Sequence, residues 1–279
     1  MNIGIRLHDT AGTSLDERLA NAKAQGFSCV QLAMQKSVPG FKMDDAPRLL
    51  TDDLADEVRG KFAQYGIGCA VLGCYLNLAT PDVEAYERTR EIYFAHLRFA
   101  RRIGALVVGT ETGAPNTDYK TEPACWTDEA LELFIRRLTP VVRRAEEEGA
   151  LIAIEPVCRH IVSTAARAQR VLEEINSDSL RIILDAVNLL SPENCAYEDS
   201  IIADAISRLD GRIDVLHMKD YDLVPGKADL AAMACGTGRM DYSRLLSYAR
   251  RREGIPMTLE NTKPDNAEQT RLFLEKSGV

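Results

Sequence analysis

The chain of 279 residues holds one tryptophan, four histidines and no Cys-x-x-Cys pair. Its seven cysteines, at 29, 69, 74, 125, 158, 195 and 235, are odd in number. That argues against a disulfide framework or a thiolate zinc site and fits reduced thiols in a cytoplasmic protein. Several of them lie inside apolar runs, where a free thiol packs as a small hydrophobe. No apolar stretch approaches the roughly 18 residues that a membrane span needs, so no membrane partner is expected. The segment Met1-Asn2-Ile3-Gly4-Ile5-Arg6 lacks a cationic region followed by a long apolar run, so no signal peptide is expected. No Gly-x-Gly-x-x-Gly follows the first apolar run and no Walker-type loop occurs, which removes the usual nucleotide cradles. The short Gly236-Thr237-Gly238 reads as a turn before Asp241. Positive charge is also scarce. With 34 Lys+Arg against 42 Asp+Glu the net charge is −8, which repels phosphate backbones and argues against a nucleic-acid partner.

What the chain does have is alternation. Eight short runs rich in Val, Ile and Leu occur at Ile3–Leu7, Cys29–Ala33, Gly68–Leu72, Leu106–Thr110, Leu151–Ile154, Arg181–Leu184, Asp214–Leu216 and Met257–Leu259. They are too short for helices and lack strict polar alternation, the pattern of parallel strands covered on both faces. Helical stretches lie between them. The first is opened by the capping box Ser14-x-x-Glu17, and others start at Thr51, Asp82 and Thr127. Gly26, Gly66, Gly104 and Gly149 close them. The stretches 164–175, 198–209, 242–252 and 266–276 complete a set of eight. Eight strands and eight helices over roughly 250 residues predict a single-domain (β/α)8 TIM barrel occupying residues 1–279. Long connections at 34–50, 112–126 and 219–240 all fall on the strand-to-helix side, where such barrels build their sites.

Each of the last four runs ends in a side chain able to bind a metal: Glu155 after the fifth, Asp185 after the sixth, His217 at the seventh and Glu260 after the eighth. One carboxylate at a strand end is ordinarily a cap or an ion-pair partner. Four such residues on four consecutive strands converge on the barrel mouth, and three carboxylates buried together would cost several kcal/mol each without a counter-ion. The oxygen-rich set favours one divalent ion, Mn²⁺, Mg²⁺ or Co²⁺, over a thiolate-style zinc site.

The segments Glu155-Pro156-Val157…His160, Leu184-Asp185-Ala186-Val187-Asn188-Leu189-Leu190, Val215-Leu216-His217-Met218-Lys219-Asp220 and Thr258-Leu259-Glu260 resemble the sugar phosphate isomerase/epimerase group of the xylose-isomerase-like TIM barrel superfamily. The resemblance spans nearly the whole chain. It implies that Glu155, Asp185, His217 and Glu260 hold one divalent metal, commonly Mn²⁺. It also implies that Glu155 and Glu260 form an acid/base pair on opposite sides of a keto-sugar or keto-glycoside. A carboxylate would take the proton next to the carbonyl through a metal-stabilised enediolate, and the second would return it. The ketose 3-epimerase branch carries His, Arg and Glu where this chain has Asn188, Leu223 and Ile161, so a free-ketohexose 3-epimerase is not expected.

His160, Asn188, Glu111, Arg6 and Lys219 are the expected substrate contacts, with His8 near the same mouth and Asp220 hydrogen-bonded to a neighbour. Tyr119 and Trp126 could stack on a sugar ring or simply pack. His96 reads as mid-helix. Three other functions compete: a lyase or dehydratase on a keto-sugar using the same site, an abasic-site endonuclease, and a non-catalytic sugar-binding barrel. The endonuclease would need a three-zinc cluster rich in histidine, and four histidines supply it poorly. A homo-oligomer is expected from the resemblance alone.

Overall fold

The computed structural model of the protein describes residues 1–227 and 229–277. Eight parallel strands close a barrel: β1 Asn2–Arg6, β2 Cys29–Leu32, β3 Gly68–Gly73, β4 Val107–Glu111, β5 Ile152–Glu155, β6 Leu180–Asp185, β7 Ile213–Met218 and, after a small hairpin of β8 Asp220–Asp222 and β9 Ala231–Met233, β10 Pro256–Leu259. The order around the barrel is β1-β10-β7-β6-β5-β4-β3-β2. First and last strands seal it, from Asn2 opposite Pro256 to Ile5 opposite Leu259. All eight expected strands form, with ends shifted by one or two residues. The shift matters at three of them, because Glu111, Glu155 and Asp185 are the last residues of their strands rather than the first of a loop.

The helices are α1 Leu15–Ala24, α2 Met34–Ser37, α3 Ala46–Leu49, α4 Asp52–Tyr65, α5 Val83–Ile103, α6 Asp128–Glu148, α7 Ala165–Ile175, α8 Glu198–Leu209, α9 Ser243–Arg251 and α10 Ala267–Ser277. The capping box at Ser14 is complete, and Thr51, Asp82, Thr127 and Thr164 each accept a backbone N–H at a helix start. The glycines at 66, 104 and 149 end α4, α5 and α6 at φ of 61°, 75° and 63°, left-handed geometry that costs a residue with a Cβ about 1–2 kcal/mol. The long connections are not plain loops. Residues 34–50 contain α2, a 3-10 turn and α3, residues 112–126 end in the 3-10 turn Pro123–Trp126, and residues 219–240 contain the antiparallel β8–β9 hairpin. Sequence periodicity misses such three- and four-residue pieces, because none spans a full period of its own pattern.

Two cores hold the barrel. A large one lies where helix side chains such as Leu19, Phe62, Tyr93, Phe134 and Leu246 pack with strand residues such as Ile3, Ile5, Leu184 and Leu216. A small separate one, Cys29, Ala70, Val71, Val107, Ala153, Ile183 and Val215, fills the barrel interior. Space there is tight. A Cβ on Gly109 would lie 2.5 Å from Val71 Cγ1 and 2.8 Å from Ile183 Cδ1, so only glycine fits without displacing that layer. All seven cysteines are free. No described helix is long and apolar enough to cross a membrane.

Candidate metal centre and substrate site

The interior layer explains why the polar residues meet. Side chains along a strand alternate faces with a period of two. Ala153, Ile183 and Val215 point inward, and two residues on stand Glu155, Asp185 and His217. One atom from each of these three lies within 4.8 Å of the others, and all three residues are buried. Glu260, one residue past β10, joins from the side, its Oε1 3.4 Å from His217 Nδ1, while Glu155 Oε2 lies 3.2 Å from the same nitrogen. Two carboxylates thus converge on one imidazole nitrogen.

A resident cation threads the cluster. Lys219 Nζ is 2.8 Å from Asp185 Oδ2 and 3.3 Å from Glu260 Oε2, and it donates to Asn188 Oδ1 at 2.7 Å. Asn188, in the 3-10 turn after β6, donates its amide to Glu155 Oε1 at 2.6 Å and its backbone N–H to Asp185 Oδ1 at 3.0 Å. Arg6 completes the ring. Its Nη1 is 3.8 Å from Glu260 Oε1, and its Nε donates to Asp9 at 2.9 Å.

The electrostatics follow from burial and neighbours. Burial alone would raise the Glu260 carboxyl, but Lys219, His217 and Arg6 outweigh it and hold the group at about 2. Burial lifts Asp185 to about 6 against the pull of Lys219. Burial would lower His217, yet Glu155 and Glu260 push it to about 9. Three carboxylates, Glu155, Asp185 and Glu260, outnumber the two permanent cations Lys219 and Arg6.

That shortage of positive charge is a test of fit for a metal. His217 Nε2 is buried without a hydrogen-bond partner, although such atoms are paired in the great majority of cases. Carboxylate oxygens and one imidazole form a donor set suited to a hard divalent ion. The residues present fit the group.

A second cluster borders the first. Glu111 lies opposite Glu155 in the β4–β5 register. Its Oε2 accepts from the Tyr119 hydroxyl at 3.2 Å and is 3.6 Å from His160 Nδ1. Burial first, then Glu155, raises Glu111 to about 7, while burial lowers His160 to about 4. Tyr119 adopts φ 56° and meets His160 edge-on at 5.3 Å. All five expected substrate contacts therefore stand around the metal-type cluster or bond its members directly.

Other residues take different places. His8 is mostly buried beside Asp9 and held near 3, by burial above all. His96 is wholly buried within α5. Trp126 is 49% exposed and donates its indole N–H to the Cys158 carbonyl at 3.0 Å. Asp220 is a structural anchor. Its carboxylate accepts the backbone N–H groups of Tyr221, Gly236, Gly238 and Met240 at 2.8 to 3.0 Å. A Cβ on Gly238 would run into Asp220 and the Tyr221 carbonyl, so the Gly-Thr-Gly turn is built around that carboxylate.

Sequence reasoning missed Tyr75 and Gln31. Gln31 donates to the Tyr75 hydroxyl at 2.9 Å. Burial, then Glu155, Glu260 and Glu111, raise the Tyr75 hydroxyl far above its ordinary value. The period of two was the available signal, because Gln31 follows inward-facing Cys29 by two residues and Tyr75 follows Gly73 by two.

A closed parallel barrel with a buried carboxylate–imidazole cluster at the C-terminal mouth defines the class. The family model for the xylose isomerase-like TIM barrel matches residues 19–277, and the chain belongs to that family. No curated protein matches it significantly. Among solved structures it is similar to the 3-keto-D-glucoside 4-epimerase YcjR from E. coli, with 15% identity over 99% of both chains and a TM-score of 0.76. It is also similar to AsbF, a probable 3-DHS dehydratase of petrobactin synthesis from Bacillus anthracis, with 12% identity over 100% of this chain and 99% of that one and a TM-score of 0.75. The IOLI protein, solved with a bound zinc atom, shows 20% identity over 100% of this chain and 98% of that one, with a TM-score of 0.72.

Proposed function

We propose that the chain is a metal-dependent enzyme of the sugar phosphate isomerase/epimerase group that moves a proton next to the carbonyl of a keto-sugar or keto-glycoside. The carrying observation is the pair of buried carboxylates, Glu155 and Glu260, that both approach His217 Nδ1, at 3.2 and 3.4 Å. Glu155, Asp185, His217 and Glu260 would hold one divalent cation, Mn²⁺ before Mg²⁺ or Co²⁺. When bound, the cation supplies positive charge that stabilises developing oxyanion charge. Glu260, kept ionised by Lys219 and Arg6, accepts the proton. Glu155, oriented by the Asn188 amide, returns one. Arg6, Lys219, Asn188, His160 and Glu111 provide donors and acceptors for substrate oxygens. We place the enzyme in the cytoplasm, as a possible homo-oligomer, with a small carbohydrate as its partner and no nucleic acid.

One observation favours elimination as a second outcome. Glu111, raised to about 7, keeps a proton near neutrality and could deliver it to a departing hydroxyl, giving a lyase or dehydratase. A histidine-rich three-zinc endonuclease has no such support, since His8 and His160 lie at the rim and His96 sits inside a helix. The test is deuterium wash-in from D₂O into a panel of keto-sugars and keto-glycosides with added Mn²⁺. Exchange is expected, and Glu155→Gln and Glu260→Gln should each slow it by about 10²-fold or more. Exchange without loss of water identifies epimerisation or isomerisation, and exchange with loss of water identifies the dehydratase. No exchange in any substrate would favour a sugar-binding barrel.

A further inference from the structure

A cleft of about 700 Å³ opens beside the buried cluster, walled by the connections after β4, β5 and β6 and by the segment leading into β9. That volume lies within the roughly 300–1,000 Å³ of small-molecule sites. Neither Glu155, Asp185, His217 nor Glu260 lines it. Its inner limit is Asn188, whose amide already touches Glu155 and Lys219. The cleft therefore adjoins the reacting centre rather than containing it.

Its lining selects for an uncharged, hydroxyl-rich guest. Ser163 and Ser191 contribute neutral hydroxyls, and the Asn194 amide, which accepts the Ser191 N–H and donates to the Leu189 carbonyl, adds its remaining donor and acceptor positions. Among the described lining residues Arg159 is the one cation, and it is already 2.6 Å from Asp229, with Glu193 adding a second carboxylate. A phosphate would meet more negative than free positive charge. Trp126 supplies the aromatic surface, beside Val157, Val187, Leu190, Pro192 and Leu230. Its N–H is tied to the Cys158 carbonyl at 3.0 Å, which holds the indole by one edge while half of the side chain stays exposed. A fixed aromatic plane among neutral polar groups suits the C–H face of a sugar ring.

We propose that this cleft is a subsite for the glycosidic substituent of the substrate, a second uncharged ring stacked on Trp126 and joined to the keto-sugar ring that reacts beyond Asn188. The subsite rests on the keto-sugar reading above and narrows it, because a free or phosphorylated monosaccharide leaves the cleft unused.

Trp126 is the chain's one tryptophan, so its fluorescence reports on this cleft and requires no turnover. In titrations of the wild-type protein with maltose, cellobiose, sucrose, glucose and fructose, at least one disaccharide should give a saturable emission change. Its midpoint should lie about tenfold or more below that of either monosaccharide. In D₂O wash-in, kcat/KM for a keto-disaccharide should exceed that for the matching free keto-sugar. Trp126→Ala should reduce that preference about tenfold, and Trp126→Phe should restore most of it. Equal emission responses to one and two rings, or a preference unaltered in Trp126→Ala, would overturn the subsite and leave the reaction standing. Disaccharide-selective emission changes without wash-in from any substrate would overturn the reaction and leave the subsite standing.

Discussion

Asn188 shows how much one side chain organises. It bonds Glu155 with its amide nitrogen, Lys219 with its amide oxygen and Asp185 with its backbone N–H. Such groups around a metal ligand fix its orientation, and losing one costs ~10–100-fold in metal affinity. Asn188→Ala should therefore weaken Mn²⁺ binding by that factor in calorimetric titration, with an unchanged far-UV circular dichroism spectrum. Unchanged affinity would show that Glu155 and Lys219 orient themselves. The residue-by-residue reading of the sequence placed Glu111, Asn188 and Lys219 near the barrel mouth, and the structure sets them at the end of β4, in the turn after β6 and just after β7. That reading was silent on partners. That Lys219 would bridge Asp185 and Glu260, forty-one residues beyond it, follows from no local pattern.

At the scale of elements, strand ends and the turns after them carry the candidate site, and the helices pack the outer core. α5 illustrates the second role through His96. Its Nδ1 lies 2.8 Å from the Ile92 carbonyl, its Nε2 has no partner, and burial lowers its pKa from 6.5 to about 4. The folded state thus resists a proton that the unfolded chain accepts below pH 6.5. Stability should fall as pH drops from 6.5 to 4, by about 3 kcal/mol from this residue at ~1.4 kcal/mol per pH unit. His8 and His160, also depressed by burial, act in the same direction. Thermal melts across that range should show the decline, and His96→Leu should make it shallower. An equally steep decline in the variant would place the acid sensitivity elsewhere. Capped helices and apolar strands were legible in the sequence because caps and periodicity are local. The β8–β9 hairpin was not, because Asp220 organises it through N–H groups sixteen to twenty residues away.

At the scale of the whole molecule, the carboxylates and imidazole from β5, β6, β7 and the end of β10 meet only once those four neighbouring strands have paired side by side. A cation gripped by that set binds the folded chain and not the unfolded one, so its binding energy adds to stability. Mn²⁺ at about 100 times its dissociation constant should contribute about 2.7 kcal/mol. For a chain of this size that raises Tm by roughly 5–10 °C, reversibly on chelation. A melting temperature indifferent to Mn²⁺, Mg²⁺ and Co²⁺ would argue that Lys219 and the His217 proton neutralise the cluster permanently.

The sequence by itself determined the barrel and the roster of polar residues at its mouth, because strand, cap and αβ-turn signals are written in neighbouring residues. Only the tertiary structure decided how those residues pair, that Tyr75 and Gln31 belong among them, and that a neutral, tryptophan-edged cleft lies alongside. Those outcomes depend on which inward-facing positions closure of the barrel brings within a few ångströms of one another, and separations of thirty to two hundred and fifty residues leave no trace of that in any local pattern.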